Sequence, residues 1–241
     1  MLQPVKILVK FALDRVGLQL VASDSERTMR GALRHTAARH PVKTVVAVGA
    51  SDGRWSATAR LFHPDAFFLL IEAQEKPHGG ALRRMKERTA RLDYVLAAAG
   101  DRSGTIHFDA ADPFGGVASD QPTGAHDIVV PVTTIDAEVS RRGLAGPFLL
   151  KLDTHGFEVP ILEGARETLK RADLVVVEVY NFELRPGALR FHEMVAYLEE
   201  RGLRCLDIVD VMHRSTDGAL WQFDAFFVPK SSPEFAENGY E

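Results

Sequence analysis

The chain has 241 residues, 46% of them hydrophobic and 26% charged, which is typical of an ordinary globular protein long enough for one α/β domain. Its formal net charge of -4 provides no basic surface for nucleic acid, so a nucleic-acid partner is not expected. The single cysteine, Cys205, excludes an internal disulfide and a cysteine-based zinc site, and it favours a cytoplasmic location.

The first 40 residues predict an N-terminal helical cap. Apolar and basic residues recur at helical spacing over residues 5–16, which indicates an amphipathic helix. This helix could lie on a membrane surface, but its basic face is thin, so packing on the core or on a second subunit of a homo-oligomer is favoured. A second helix is predicted from Ser25 to His40, where Pro41 stops it. No apolar run reaches the length of a transmembrane span, and none resembles a signal peptide.

The chain is organised around a strand that ends in a glycine turn. Residues 44–48 form a β-branched, apolar run that predicts a buried strand entering the tight turn at 49–53 (Gly-Ala-Ser-Asp-Gly). A helix over 56–61 and a second strand over 67–71 follow, and Glu72 comes directly after that strand. Strand, glycine turn, helix, strand and terminal acid predict a nucleoside-binding unit, in which the carboxylate accepts hydrogen bonds from both ribose hydroxyls.

The glycine turn does not match the dinucleotide fingerprint. That fingerprint needs glycines at its first, third and sixth positions, whereas the third position here is Ser51. A ligand with a ribose and no phosphate fits better, and S-adenosylmethionine is the common case. The alternative is a tight turn in some other α/β domain, and the placement of Glu72 favours the nucleoside site over it.

The segments after this unit predict further parts of a ligand site. A helix is predicted over 81–92 and a third strand over 94–99, after which Asp101 could accept a hydrogen bond from an adenine amino group. The alternative for Asp101 is a turn residue bonded to its own backbone. A strand over 105–108 precedes a loop over 109–127 that is rich in glycine, proline and aspartate, and we expect this loop near the acceptor pocket.

A second candidate site follows the fourth core strand, which is predicted over 148–153. The elements around it are a strand over 129–134, a helix over 135–143 and a helix over 159–171. Because ligands bind beyond the carboxyl ends of the strands in such sheets, Asp153 and His155 should face the same crevice as the glycine turn. The alternative for His155 is a turn residue bonded to the backbone, as is common for a lone histidine in a loop.

The end of the chain distinguishes between two fold families. The predicted elements are a strand over 173–180, a helix over 189–201, and two strands over 205–211 and 220–228 joined as a hairpin. A dinucleotide domain would repeat parallel units to its last strand, whereas an antiparallel hairpin favours a class I methyltransferase-like, mostly parallel doubly wound α/β sheet. The predicted domains are a cap over 1–40, the cofactor-binding methyltransferase domain over 41–230 and a tail over 231–241.

The chain resembles the FkbM family of S-adenosylmethionine-dependent methyltransferases over about residues 25–229. The segments that carry the resemblance are 48–53, 71–72, 98–104, 150–165, 177–179 and 221–228. The most specific of these segments is 150–165. It contains Lys-Leu-Asp, followed in order by Gly, Glu, Leu and Gly-Ala. The resemblance implies O-methylation of a hydroxyl on a sugar, a glycan or a polyketide-type metabolite.

The resemblance also implies roles for individual residues. The turn residues would line the methionine end of the cofactor, Glu72 would hold the ribose, Asp101 would sit by the adenine, and Asp153 would lie near the sulfonium and the acceptor. The complete set predicted to bind the cofactor is Gly49, Ala50, Ser51, Asp52, Gly53, Glu72, Ala73, Asp101 and Asp153. Related methyltransferases usually have an acid two residues before the first glycine; that position is Ala47 here, so Asp52 or Asp153 would supply the charge.

Methyl transfer to oxygen requires alignment of the acceptor and uptake of one proton, so His155 is the predicted base. Asp153 would either orient His155 or accept a hydrogen bond from the acceptor hydroxyl. Many family members have Glu where His155 stands. A divalent cation on Asp153, Glu178 and Asn181 ranks below this scheme, and no metal is expected.

Two functions of other classes remain as alternatives. Ala47 is compatible with an adenosyl-ligand-binding or interaction protein of the same fold that has lost catalysis. An NAD-dependent enzyme is disfavoured by Ser51 and by the terminal hairpin.

Overall fold

A computed structural model of the chain describes residues 9, 12–13, 15–16, 22 and 25–239. The helices are α1 (Met29–Arg39), α2 (Arg54–Ala59), α3 (Glu75–Arg88), α4 (Ile135–Arg141), α5 (Glu158–Glu163), α6 (Arg166–Leu169) and α7 (Phe191–Glu200). The first strands are β1 (Thr44–Val48), β2 (Phe67–Glu72), β3 (Leu92–Leu96), β4 (Ala98–Ala99), β5 (Gly104–Asp109) and β6 (Val117–Ser119). The later strands are β7 (Asp127–Thr133), β8 (Phe148–Leu152), β9 (Ala172–Tyr180), β10 (Leu203–His213) and β11 (Leu220–Pro229).

The main sheet has seven strands in the order β10-β11-β9-β8-β1-β2-β3. The five strands β9, β8, β1, β2 and β3 run parallel to one another, and β11 runs antiparallel to both β9 and β10. The order reverses at β1, which lies between β2 and β8, so the carboxyl ends of these strands border one crevice. This topology confirms the predicted class I methyltransferase-like fold with its terminal antiparallel hairpin.

The central strands are covered on both faces. Every residue of β1 and β8 is buried, and two apolar clusters pack on opposite sides of the sheet around Val46 and Val45. Continuous apolar runs of this kind are expected where helices cover both faces of a parallel sheet. Lys151, in β8, interrupts the pattern, because it is a charged residue only 3% exposed in the centre of the sheet.

The predicted third strand over 94–99 is wrong in its extent. The edge strand β3 covers Leu92–Leu96, and Ala98–Ala99 leaves the main sheet to pair with β7. A second sheet of four strands, ordered β4-β7-β5-β6, results from this departure. One of its strands, Val117–Ser119, lies inside the segment predicted as a loop. Sequence patterns for the individual strands did not reveal that they form a separate sheet.

Two predicted helices also differ from the structure. Helix α3 begins at Glu75 rather than at residue 81, and it includes Pro77 in its first turn, where an amide has no partner inside the helix. The helix predicted over 159–171 is two helices separated at Gly164. A Cβ at Gly164 would lie 1.9 Å from the carbonyl oxygen of Gly100, so this close approach of two backbones requires glycine.

The N-terminal prediction is tested only in part. The helix predicted from Ser25 begins at Met29, and Thr28 caps it by accepting a hydrogen bond from the Gly31 amide. The helix predicted over 5–16 falls largely outside the described residues. Within the described part of the chain, no helix is both long and apolar enough to cross a membrane.

Candidate functional site

A cavity of about 750 Å³ opens at the carboxyl ends of the central strands. The turns after β1, β2 and β8 form its floor, and the first turns of α1 and α2 contribute Met29 and Trp55 to its wall. Strand β5 of the second sheet contributes Phe108, and the loop between β5 and β6 contributes Phe114. A cavity of this size at this position is where open α/β sheets bind their ligands.

The turn after β1 is shaped by its contact with the turn after β8. Gly49 has a φ of 71°, and a Cβ on it would lie 1.9 Å from the carbonyl oxygen of Asp153. Glycine is therefore required at this position by both the conformation and the space. Ser51, which lines the cavity, also has a positive φ of 51°, an uncommon conformation for a residue with a side chain.

Glu72 lies at the same rim as this turn. Its Oε2 accepts a hydrogen bond of 2.7 Å from the Ser51 amide, and its Oε1 accepts one of 2.7 Å from the Gln74 amide. Burial raises the pKa of the Glu72 carboxyl, and these two amides act in the opposite direction. Each carboxylate oxygen has a second lone-pair direction, so Glu72 can also accept hydrogen bonds from ligand hydroxyls.

A buried ammonium, that of Lys151, lies in the wall of the cavity. The Nζ of Lys151 donates a hydrogen bond of 2.7 Å to Oδ1 of Asp224, and it lies 3.4 Å from Oδ2 of Asp153. Burial alone would lower the pKa of Lys151, but the charges of Asp153, Asp224 and Glu178 raise it above its ordinary value. Lys151 was not among the predicted site residues, although a lysine inside a buried apolar strand is a signal that could have identified it.

Next to the ammonium lies a hydrogen-bonded chain of side chains. The Tyr180 hydroxyl donates to Oε2 of Glu178, and Nε2 of Gln222 donates to its Oε1. Nδ1 of His155 lies 2.7 Å from the Tyr180 hydroxyl and 3.6 Å from Oε2 of Glu178. Burial and, after it, the charge of Asp153 raise the pKa of Glu178 to about 8. Tyr180 and Gln222 were not predicted as site residues.

Residues 112–116 form a strap beside the cavity. Nε2 of His155 lies 3.0 Å from the carbonyl oxygen of Phe114, and Nε2 of His78 lies 2.7 Å from that of Pro113. The side-chain amide of Gln74 donates to the carbonyl oxygens of Asp112 and Pro113 at 3.0 and 3.1 Å. The loop predicted near the acceptor pocket therefore lies against both the β2 turn and the candidate base.

Most of the predicted site residues line this one cavity. The lining includes Gly49, Ala50, Ser51, Glu72, Ala73, Asp153 and His155. Three predicted cofactor residues, Asp52, Gly53 and Asp101, are not among the lining residues. Asp52 pairs with Arg54 at 2.7 Å, and Asp101, whose side chain is 48% exposed, pairs with Arg102 at 3.1 Å. The cofactor contacts predicted for these three residues stay predictions, and the lining of this cavity adds no support to them.

The geometry also bears on the question of a metal. Asp153, His155 and Glu178 each offer one ligand atom, and these atoms lie within 4.8 Å of one another. The Lys151 ammonium already provides a positive charge beside Asp153, and the Tyr180 hydroxyl already forms hydrogen bonds with both His155 and Glu178. We do not assign these residues as metal ligands. Asn181, a further candidate ligand, is not among the residues that line the cavity.

Two polar side chains of the lining fit a polar ligand. The Ser51 hydroxyl and the Trp55 indole N–H are buried, and neither has a hydrogen-bond partner within the described residues. Buried polar groups are nearly always hydrogen-bonded, so unpaired groups in a cavity wall indicate a site for a ligand with polar atoms.

Comparison with known proteins finds one matching family and several similar solved structures. The model of the FkbM methyltransferase domain matches residues 47–205. No curated protein matches the sequence. Among solved structures, a candidate O-methyltransferase from Klebsiella pneumoniae is 15% identical with a TM-score of 0.49, and the match covers 94% of this chain and 90% of that chain. A precorrin-6y C5,15-methyltransferase from Geobacter metallireducens is 12% identical with a TM-score of 0.45, covering 83% and 86%. A candidate RNA methyltransferase from Pyrococcus horikoshii is 10% identical with a TM-score of 0.47, covering 83% and 80%.

Proposed function

The chain belongs to the FkbM methyltransferase family, and on that premise we propose that it methylates a hydroxyl group with S-adenosylmethionine as the donor. The proposed acceptor is a sugar, a glycan or a polyketide-type metabolite. One observation carries the assignment of the cofactor site: the Glu72 carboxylate bonds the Ser51 amide at 2.7 Å, which places the acid and the glycine turn at one rim of one open cavity.

Three groups of residues in the cavity wall would each contact a different part of the cofactor. Glu72 would accept hydrogen bonds from the ribose hydroxyls, as acids at this strand end do in nucleoside sites. Gly49, Ala50 and Ser51 would lie along the methionine part, with the unpaired Ser51 hydroxyl available to it. Asp153 lines the cavity and would supply the negative charge that Ala47 cannot supply.

The reaction needs a proton acceptor beside the acceptor hydroxyl. When bound, S-adenosylmethionine supplies an electrophilic methyl group on its sulfonium. His155 is the proposed general base, and Asp153 is proposed to orient the acceptor. Because Nε2 of His155 contacts the Phe114 carbonyl, the strap must release that nitrogen before the base can reach an acceptor hydroxyl.

Calorimetric titration with S-adenosylhomocysteine tests the cofactor site without knowledge of the acceptor. We expect binding by the wild-type protein and an affinity about ten to one hundred times lower for Glu72→Gln, which loses the charged acceptor for two hydroxyls. Glu167→Gln is the matched control, because Glu167 is an exposed glutamate whose side chain pairs with Lys170. Absence of binding by the wild type, or unchanged binding by Glu72→Gln, would contradict the proposal.

A second candidate is a protein that binds the adenosyl ligand without catalysis. It is motivated by Ala47 and by Asp52, which pairs with Arg54 instead of facing the cavity. Incubation of the protein with S-adenosylmethionine and a panel of hydroxylated acceptors distinguishes the candidates. Release of S-adenosylhomocysteine in the presence of any acceptor would exclude the inactive binder.

A further inference from the structure

Resting on the proposed function, we propose that Tyr180 and Glu178 form a proton relay behind His155. The relay sets which ring nitrogen of the base carries the proton, and it takes up the proton that the acceptor hydroxyl loses. Tyr180 and Glu178 are positioning residues in this scheme, because they act through His155 and not on the acceptor itself.

The hydrogen bonds of this chain can be counted proton by proton. The Phe114 carbonyl only accepts, so its 3.0 Å contact requires a proton on Nε2 of His155. One further proton lies between Nδ1 and the Tyr180 oxygen, and one lies between that oxygen and Glu178. Three protons are needed, whereas a neutral ring, a tyrosine and an ionised glutamate supply two. The chain of contacts therefore holds one additional proton.

The additional proton can be located in two ways, and in both of them every non-hydrogen atom keeps its position. In the first, both ring nitrogens of His155 donate, and Tyr180 donates to an ionised Glu178. In the second, a neutral Glu178 donates to Tyr180, and Tyr180 donates to Nδ1. The two arrangements differ by one proton transfer across the 2.7 Å contact and one across the Tyr180–Glu178 contact. Both satisfy every hydrogen bond, so the proton is shared between His155 and Glu178.

The surroundings of Glu178 suit a proton store. The groups that face it are Lys151, Asp153 and His155 from β8 and the turn after it, Tyr180 on its own strand, and Gln222 and Asp224 from β11. Burial and the Asp153 charge raise the pKa of Glu178 to about 8. The raised pKa lets this carboxyl group take up the shared proton more readily than an exposed glutamate does, and the proton is released at mildly alkaline pH.

The relay becomes productive when the additional proton has left and an acceptor hydroxyl replaces the Phe114 carbonyl at Nε2. Tyr180 then holds the remaining ring proton on Nδ1, so the Nε2 lone pair faces the hydroxyl. The acceptor O–H bond breaks, its proton bonds to Nε2, and the oxygen electron pair forms the new bond to carbon while the C–S pair stays on sulfur. The Nδ1 proton of His155 then passes to the Tyr180 oxygen, while the Tyr180 proton passes to the Glu178 carboxylate. The acceptor hydroxyl has thus given one proton to Nε2 of His155, and the Glu178 carboxylate has gained one.

The first test uses the free protein and needs neither cofactor nor acceptor. NMR of histidine labelled with ¹⁵N and of glutamate labelled with ¹³C at the carboxyl group follows His155 and Glu178 through a pH titration, with His155→Gln and Glu178→Gln identifying the signals. We expect the two groups to titrate as a coupled pair in the wild type and independently in Tyr180→Phe. Tyr197→Phe is the matched control, because it also removes a tyrosine hydroxyl that donates to a glutamate, Glu163, and should leave the coupling intact.

The second test uses the pH dependence of turnover once an acceptor is known. We expect kcat to rise with pH through about 8 in the wild type as the additional proton leaves, and Glu178→Gln to lose that rise, since glutamine holds no such proton. Tyr180→Phe should lower kcat about ten- to one-hundredfold while its affinity for S-adenosylhomocysteine changes less than threefold.

The outcomes separate this relay from the proposed function. Independent titration of His155 and Glu178 in the wild type, or coupling that persists in Tyr180→Phe, would overturn the relay even if the protein transfers methyl groups. If Tyr180→Phe does not fold, retention of the wild-type pH profile by Glu178→Gln would overturn the relay by itself. Coupled titration in a protein that binds no S-adenosylhomocysteine would support the proton sharing and reject the methyltransferase reaction it serves.

Discussion

Lys151→Met should destabilise the protein strongly, because it removes the positive charge between two carboxylates. The ammonium is 3% exposed and lies 2.7 Å from Asp224 and 3.4 Å from Asp153. Methionine fills a similar volume but leaves both acids without their cation. Breaking a buried ion pair from one side costs about 3–5 kcal/mol, which is a large part of the roughly 5–15 kcal/mol that stabilises a typical domain.

The predicted loss depends on pH in a defined direction. Burial by itself raises the pKa of the Asp153 carboxyl, and the charge of Lys151 lowers it in the wild type. Without the lysine, burial is no longer opposed by that charge, so the folded state holds the pKa of Asp153 above its unfolded value. The folded variant then binds more protons than the unfolded chain, so its stability falls as pH rises above about 4. The deficit relative to the wild type should be largest at pH 8 and smallest near pH 4.

Urea unfolding at pH 5 and pH 8, with the slope m checked for constancy, measures this loss. Lys170→Met is the matched control, since Lys170 is 69% exposed and pairs with Glu167 at 2.6 Å, where an ion pair contributes less than about 1 kcal/mol. Adding Asp224→Asn to Lys151→Met should restore part of the stability. A loss below about 1 kcal/mol at pH 8, or one equal at both pH values, would refute this account of the buried charges.

Three further predictions concern the turn, the relay and the strap. Gly49→Ala should lower the melting temperature and abolish S-adenosylhomocysteine binding in calorimetry, because the new Cβ would meet the Asp153 carbonyl oxygen at 1.9 Å; normal binding would contradict this. Glu178→Gln should flatten the decline of urea stability between pH 5 and 8, since the folded carboxyl group keeps its proton to about pH 8 and the unfolded one loses it near 4.5. Gln74→Ala should speed proteolysis within residues 112–116, because the amide no longer bonds the Asp112 and Pro113 carbonyls; an unchanged cleavage rate would argue against this anchor.

Local patterns were sufficient for much of the fold and for part of the site. The run at 44–48, the glycine turn and the acid at Glu72 predicted a strand, a turn and a second strand that pair in parallel. The turn at 214–218 predicted the antiparallel hairpin of β10 and β11. These features depend on residues close together in the sequence, where periodicity and turn chemistry act directly on the backbone. The cofactor roles assigned to these residues stay predictions.

The arrangement of the charged groups depends on distant residues, and only the tertiary structure decided it. Lys151 lies in β8 and Asp224 in the antiparallel β11, and β9 lies between these two strands. The two side chains extend over β9 from either side and form a hydrogen bond there. Tyr180 reaches His155 because the carboxyl ends of β8 and β9 share one edge of the sheet. Lone polar residues carry no periodic signal that could identify a partner far along the chain. The sequence by itself therefore determined which elements form and where the turn and its acid lie, whereas packing determined which buried charges and protons those elements share.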